Sequence, residues 1–169
     1  MSKNISITLL TWNDWENTVA CLESIFQNNY QNFDVIIVNN GSDEHHMKKI
    51  FEWADNKIKI SDEEIKFNSN KKIEIIDVTN SNKKTKSNYR NIYLINLDKN
   101  IGLAPAVNKG FKFAIENKYD LISRIDCDFI VTENYIMNMV SLFKNHNDML
   151  LKQGEVKSSN YGKRFNQDS

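Results

Sequence analysis

The sequence is poor in the residues that build covalent or irregular scaffolds. Only Cys21 and Cys127 are cysteine among 169 residues, so neither a disulfide framework nor a zinc site is indicated. Cys21 falls on a predicted helical face and reads as core. One proline and five glycines are few. With no internal repeat and no Gly/Ser linker, the chain reads as one domain, 1–169. Net charge of either sign is also missing, since 22 Lys and Arg balance 22 Asp and Glu. A nucleic-acid footprint would need a basic excess on one face, so that class is excluded. No long apolar segment follows Met1-Ser2-Lys3-Asn4, which argues against a signal peptide and a membrane span. A cytoplasmic address is the default expectation. What remains is an ordinary globular mix, 40% hydrophobic and 26% charged, long enough for one core. Abundant Asn and Lys read as compositional bias.

Strand and helix patterns alternate along the chain. Ile5 to Leu10 is apolar and β-branched, as suits a sheet interior. Thr11-Trp12-Asn13 is the turn after it, and Asn13 with Glu16 makes a capping-box pattern. Trp15, Val19, Leu22 and Phe26 then recur at helical spacing, with Ile25 beside them. Phe33 to Val38 is a nearly continuous apolar run, typical of a strand buried on both faces of a parallel sheet. Asn39-Asn40-Gly41-Ser42-Asp43 ends it in turn chemistry. Met47, Ile50, Phe51 and Ala54 mark a second helix. Residues 55–91 read as a charged, solvent-exposed insertion around one short strand, Ile73 to Val78. Lys83, Lys84 and Lys86 there read as a solvated loop, with contact to an anionic membrane or substrate as the alternative. Ile92 to Leu97 is the next strand. Pro105 suits the first turn of a following helix whose buried face is Val107, Phe111, Ala114 and Ile115. Leu121 to Asp126 is a further strand. Ile136, Met139, Val140 and Phe143 stripe a helix around 133–144, and Met149 to Leu151 starts another strand. Such alternation predicts an α/β sandwich with a mostly parallel sheet.

Chemistry-bearing residues gather where these strands end. Asp126 and Asp128 close an apolar run one residue apart. On an extended chain that puts both carboxylates on one side, about 7 Å apart along the backbone. A hard divalent cation and a phosphate are natural ligands there, at the edge where open α/β sheets bind. Trp12 offers a flat face to a nucleobase. The amides of Asn39 and Asn40 suit the edge of a pyrimidine. Gly102 permits close backbone approach beside a helix N-terminus, a ready anion site. Asp126 can accept from a ribose hydroxyl, and Asp128 can bind a cation that bridges a pyrophosphate. Blander readings stand beside these. Trp12 could pack, Asn39 to Ser42 could be only a turn, Asn108 could face solvent and Gly110 could be a helix-packing contact. His45 and His46 are adjacent, so they diverge on a helix and do not suggest a metal site.

The motifs together resemble the nucleotide-binding half of a family two glycosyltransferase of the GT-A fold. Thr11-Trp12-Asn13 matches a T-[YW]-N signature. Cys21-Leu22-Glu23-Ser24-Ile25 matches C-L-x-S-I, followed by an aromatic at Tyr30. Val38 to Ser42 matches V-[DN]-[DN]-x-S. Asn100 to Gly110 fills every fixed position of N-x-G-x-A-x-A-x-N-x-G, and the D-x-D follows at Asp126 and Asp128. The match runs from Ile5 to about Phe143 and is interrupted between 55 and 91. The resemblance implies a GT-A, Rossmann-like αβα sandwich. It implies that the Thr11 to Asn13 turn, with Asn39 or Asn40 and Ser42, holds the base of a nucleotide-diphosphate sugar. Asn100, Gly102, Asn108 and Asp126 complete the donor site, Asp126 at the ribose. Asp128, with Asp126, would hold Mg²⁺ or Mn²⁺. Many members carry acids where this chain has Asn39 and Asn40, which removes negative charge near the base and leaves UDP and dTDP sugars both open.

The implied activity is inverting transfer of the sugar to a hydroxyl of a glycan or lipid-linked acceptor, in bacterial-type surface polysaccharide or glycoconjugate synthesis. The implied place is the cytoplasm or the inner face of the membrane, as a peripheral protein. The family's general base lies well after the D-x-D, so here it is expected beyond Ser169. Nothing marks Glu155 for that task, and the chain is expected to be a fragment that stops before the acceptor-binding half. The rival is a catalytically inactive GT-A-like module that binds nucleotide or a partner. A dinucleotide oxidoreductase is disfavoured because no G-x-G-x-x-G follows the first strand. A receiver-type signalling domain would need an acidic cluster there, which Asn13 and Asp14 supply poorly.

Overall fold

Ile5–Thr11 forms β1, buried along its whole length except at Leu10. In the computed structural model, which describes residues 2–59, 72–81, 83–85, 90–145 and 157–158, this strand has a parallel neighbour on each side. On one side lies β2 (Phe33–Asn39), then β4 (Arg90–Asn96) and β3 (Ile73–Asp77); on the other lies β5 (Leu121–Asp126). The sheet order is therefore β3-β4-β2-β1-β5, with every pair parallel. Parallel neighbours need crossovers, and the helices supply them.

Alternation along β1 decides which helix goes where. Ile5, Ile7 and Leu9 join Val35, Ile37, Ile92, Leu94 and Ile125 in one core. That core is covered by α1 (Trp15–Phe26), α2 (Glu44–Ala54) and α4 (Tyr135–Asn145). Ile36, Val38, Tyr93 and Ile95 face the opposite way, under α3 (Leu103–Glu116). Each fully buried Ile or Leu contributes about 1.5–3 kcal/mol. The result is the αβα sandwich that alternation of strands and helices predicted. A short antiparallel pair, β6 (Phe129–Ile130) with β7 (Lys157–Ser158), lies apart from this sheet. No helix among the described residues is long and apolar enough to cross a membrane.

Several local expectations are corrected. The N-cap of α1 is Asp14, whose carboxylate accepts from Asn17 N. Asn13 takes a left-handed backbone (φ 50°) instead, so the Asn13–Glu16 box does not form. On α2 Ile50 and Ala54 are buried as expected and Trp53 joins them, while Phe51 is exposed. An indole buried this deeply needs a partner for its N–H, and Glu23 of α1 accepts it at 2.7 Å. On α3 Val107 and Ala114 are buried as expected, together with Ala106, Gly110 and Phe113, a set that follows one helical face. Ile115 falls outside that stripe and is exposed, and Phe111 is only half-buried. Lys83 and Lys84 are exposed and outside helix and strand, as a solvated loop requires, but Lys84 is also anchored. Its Nζ lies 4.3 Å over the Tyr119 ring and 3.8 Å from Asp34 Oδ2. Its backbone N–H donates to Asn117 Oδ1 at 2.9 Å. Lys86, Glu155, Ser169 and the strand expected at Met149 to Leu151 lie outside the described residues.

Candidate functional site

Register brings the carboxyl ends of the strands into one row. Thr11 on β1 pairs with Asn39 on β2, and Asn39 pairs with Asn96 on β4. Leu10 pairs with Asp126 on β5. The chain leaves β1 and β2 towards α1 and α2 on one face, and leaves β4 towards α3 on the other. A crevice opens where neighbouring strands send their connections to opposite faces, and ligands of open α/β sheets bind there. Here that point lies between β2 and β4, at the loops Asn40 to Asp43 and Leu97 to Gly102.

Asparagines lock those loops together. Asn39 Nδ2 donates to Asn96 Oδ1 at 3.1 Å, and Asn39 Oδ1 accepts from Ser42 N at 2.9 Å. Asn40 Nδ2 donates to Asn100 Oδ1 at 3.0 Å, while Asn40 Oδ1 accepts from Ile101 N at 3.0 Å. Asn100 Oδ1 also accepts from Gly102 N at 2.8 Å, a local turn of the kind Asn favours. Asn13 clasps the next loop. Its N–H donates to Ser42 Oγ at 3.0 Å, and its Oδ1 accepts from Asp43 N at 2.7 Å. The expected use of the Asn39 and Asn40 amides on a base edge is therefore revised. Both side chains are buried and their polar atoms are turned to neighbouring loops, so what they supply is the shape of the rim.

Trp12 stands 55% exposed on this rim, which sets aside a packing role. Thr11 is buried, its hydroxyl 2.7 Å from that of Thr18 on α1. Gly102 is the N-cap of α3 with φ 88°, a conformation that suits glycine. No side chain caps this helix end, and Pro105 has no N–H, so the N–H groups of Leu103 and Ala104 are available at the rim. Asn108 is exposed on α3.

The D-x-D sits differently from its extended reading. β5 stops at Asp126, and Cys127–Asp128 form a turn into β6, so strand alternation does not carry through to Asp128. Asp128 is exposed. Asp126 is partly exposed and bonded to the Arg124 guanidinium. Cys127 packs inward against the α1 side of the core. Burial, with the Asp14 and Asp128 carboxylates nearby, pushes its thiol up to about 12. Burial likewise raises the Cys21 thiol, with Cys127 and the acids Asp128 and Asp126 adding to it. Cys21 Sγ donates weakly to the Asp126 carbonyl at 3.7 Å, which ties the end of β5 to α1.

The donor set fits Mg²⁺ or Mn²⁺. Both carboxylates are hard oxygen ligands that reach solvent, and Mg²⁺ is commonly held by one or two carboxylates plus substrate phosphates. No group of three or more His, Cys, Asp or Glu suited to a metal occurs among the described residues. Gly41, Asn96, Asp14 and Arg124 were not foreseen as parts of this site. For Gly41 the motif held a signal. It has φ 76°, and a Cβ there would meet the Lys99 carbonyl carbon at 2.4 Å, so the β2 loop can touch the β4 loop only through glycine.

The family model for glycosyl transferase family 2 matches residues 6–73 and 71–168. The chain belongs to this family. The fold agrees. A mannosyltransferase from Pyrobaculum calidifontis, solved with GDP-Man and Mn²⁺, superposes with a TM-score of 0.59 at 13% identity. The alignment covers 85% of this chain and 33% of that one. Staphylococcus aureus TarS (residues 1–349), solved with UDP-GlcNAc, gives a TM-score of 0.56 at 14% identity, covering 85% and 32%. The same protein with UDP gives 0.57 at 14% identity, covering 85% and 33%. These are GT-A proteins, and the chain spans about a third of their length. No curated protein sequence matches it significantly.

Proposed function

We propose that this domain of a family 2 glycosyltransferase binds a nucleotide-diphosphate sugar, with Mg²⁺ or Mn²⁺, for inverting transfer to a hydroxyl of a glycan or lipid-linked acceptor. The observation that carries this reading is the locked rim. Loops from β1, β2 and β4 are bonded into one frame, with an exposed indole on it and two acids at the neighbouring end of β5.

Each part of the frame has a task in that reading. Trp12 stacks on the base, a contact worth about 1–3 kcal/mol. Thr11, Asn13, Asn39, Asn40 and Ser42 hold the base-side loops in register. The free N–H groups at the start of α3 and the Asn100–Gly102 turn favour the diphosphate, and Asn108 lies further along the same helix. Asp126 accepts from the ribose and shares a cation with Asp128. When bound, the cation stabilises the charge that gathers on the leaving diphosphate. The acceptor hydroxyl must lose a proton, and no described residue is assigned that role. UDP and dTDP sugars are the donors favoured, and surface polysaccharide or glycoconjugate synthesis the setting. A cytoplasmic or inner-face peripheral location goes with that setting.

The test is calorimetric titration with UDP, UDP-GlcNAc, dTDP-glucose and GDP-mannose, with and without Mn²⁺. Mn²⁺-dependent binding of at least one, lost in Asp128→Ala and weakened about ten-fold or more in Trp12→Ala, is expected. Binding that ignores both Mn²⁺ and Asp128→Ala would refute the reading.

A further inference from the structure

Arg124 is a charged group beside the acids at the end of β5 to which the donor-site reading gives no task. Arg124 lies two residues before Asp126 on β5, so both side chains project to the same face of the strand. Its Nη2 bonds Asp126 Oδ1, with the two side chains 35% and 43% exposed. Register places Thr8 beside Arg124 and Leu10 beside Asp126, so β1 offers no competing charge to either. On α3, Lys112 pairs with Glu116 at 3.8 Å. Asp126 is thus already occupied in the ligand-free protein, while Asp128 has no ion pair among the described residues.

We propose that Arg124 is a positioning residue that withholds Asp126 from a free divalent cation and releases it when a diphosphate arrives, so that metal and nucleotide load together. This rests on the donor-site reading above. The argument is one of competition. A cation approaching Asp126 alone must displace the guanidinium and is repelled by it. A cation arriving with a diphosphate brings an anion that the guanidinium fork matches as well as it matches a carboxylate. The guanidinium then has a second partner, and Asp126 is freed for the cation. Metal and diphosphate should therefore tighten each other's binding, by the same factor in both directions.

Mn²⁺ binding to the 169-residue chain, followed by the EPR signal of the free ion, tests this with UDP absent and with UDP present. GDP replaces UDP in a parallel series. Arg124→Gln should bind Mn²⁺ alone about three- to five-fold more tightly than the wild type, the range a partly exposed ion pair supports. The factor by which nucleotide tightens Mn²⁺ should shrink by a similar amount. In an Asp126→Asn background the Arg124→Gln effect should vanish. Arg124→Lys keeps the charge but loses the fork. It should shift the same way by less, and it supplies the test if the glutamine variant does not fold. Mn²⁺ binding that is unchanged or weaker in Arg124→Gln, while Asp128→Asn still lowers it, would overturn the role of Arg124 and leave the donor-site reading standing. Nucleotide-supported Mn²⁺ binding that is indifferent to Asp128→Asn would overturn both.

Discussion

Gly110→Ala is the sharpest probe of how α3 is seated under the rim. α3 crosses β1 at this glycine. A Cβ there would lie 2.5 Å from Thr8 Cγ2, 3.1 Å from Thr8 Oγ1 and 3.2 Å from Val38 Cγ2. The first distance is far inside contact, and Thr8 is fully buried and β-branched, so it cannot swing away. Overpacking of this kind costs about 1–3 kcal/mol. Alanine regains up to about 1 kcal/mol of helix propensity over glycine. The expected net is a loss of about 1–2 kcal/mol, or a fall in Tm of about 2–8 °C for a chain of this size. Thr8→Ala removes both of the closest atoms, and it also removes a buried hydroxyl that has no hydrogen-bond partner. In that background Gly110→Ala should be neutral or slightly stabilising, which gives a coupling of about 1–2 kcal/mol in a double-mutant cycle. Urea unfolding followed by far-UV circular dichroism measures all four corners. Additive effects, or a stabilised single Gly110→Ala variant, would show that α3 does not rest on Thr8. In the donor-site reading, nucleotide affinity should also fall in Gly110→Ala, because lifting α3 moves Gly102 and the loop that carries it.

Two further expectations concern the rim. Asn40→Ala leaves the part-buried Ile101 N–H without its acceptor and should cost about 1 kcal/mol; hydrogen exchange at Ile101 should quicken more than exchange in β1, and equal protection at Ile101 would contradict the lock. Cys127, pushed up to about 12, should hold only about one thiolate in ten thousand at pH 8. Native protein should then resist iodoacetamide at that pH and react promptly at both thiols once unfolded in urea. Rapid native labelling of Cys127 would place it outside the core.

The sheet could be read from the sequence because its signal is local. Ile5 to Leu10, Phe33 to Val38, Ile92 to Leu97 and Leu121 to Asp126 each carry a continuous or β-branched apolar run, and all four are strands in the parallel sheet. What stayed hidden depends on register. The Asn39–Asn96 bond joins residues 57 apart in the chain and exists only because β2 and β4 align at that row. The Arg124–Asp126 pair needed β5 to run through Asp126 and stop there. Helix faces failed where neighbouring apolar residues competed. Phe51 and Trp53 both suit α2, and the choice fell to Trp53 because Glu23 could accept its indole N–H. Asn13 looked like a cap because Asn caps helices well. The same chemistry lets it take a left-handed backbone and clasp the β2 loop, and Asp14 capped α1 instead.

The preference for asparagine along the rim has a consequence for charge. Each amide both donates and accepts, so Asn39 and Asn40 can each close two loops at once. An ionised aspartate in either place could accept but not donate, and it would leave Asn96 Oδ1 or Asn100 Oδ1 facing another acceptor. The frame between β2 and β4 is therefore held by uncharged side chains. Asp14, Asp126 and Asp128 gather around the end of β5, with Arg124 as a counter-charge, while Asp43 and Asp98 are exposed acids on the loops after β2 and β4. The acids around the end of β5 attract a cation to that corner. Replacing Asn40 with Asp should therefore do two things that Asn40→Ala does not. It should set a carboxylate against Asn100 Oδ1, and it should weaken UDP binding more at low ionic strength than at high, where the added charge is screened. Equal losses at both salt concentrations would mean that the asparagines matter for shape alone.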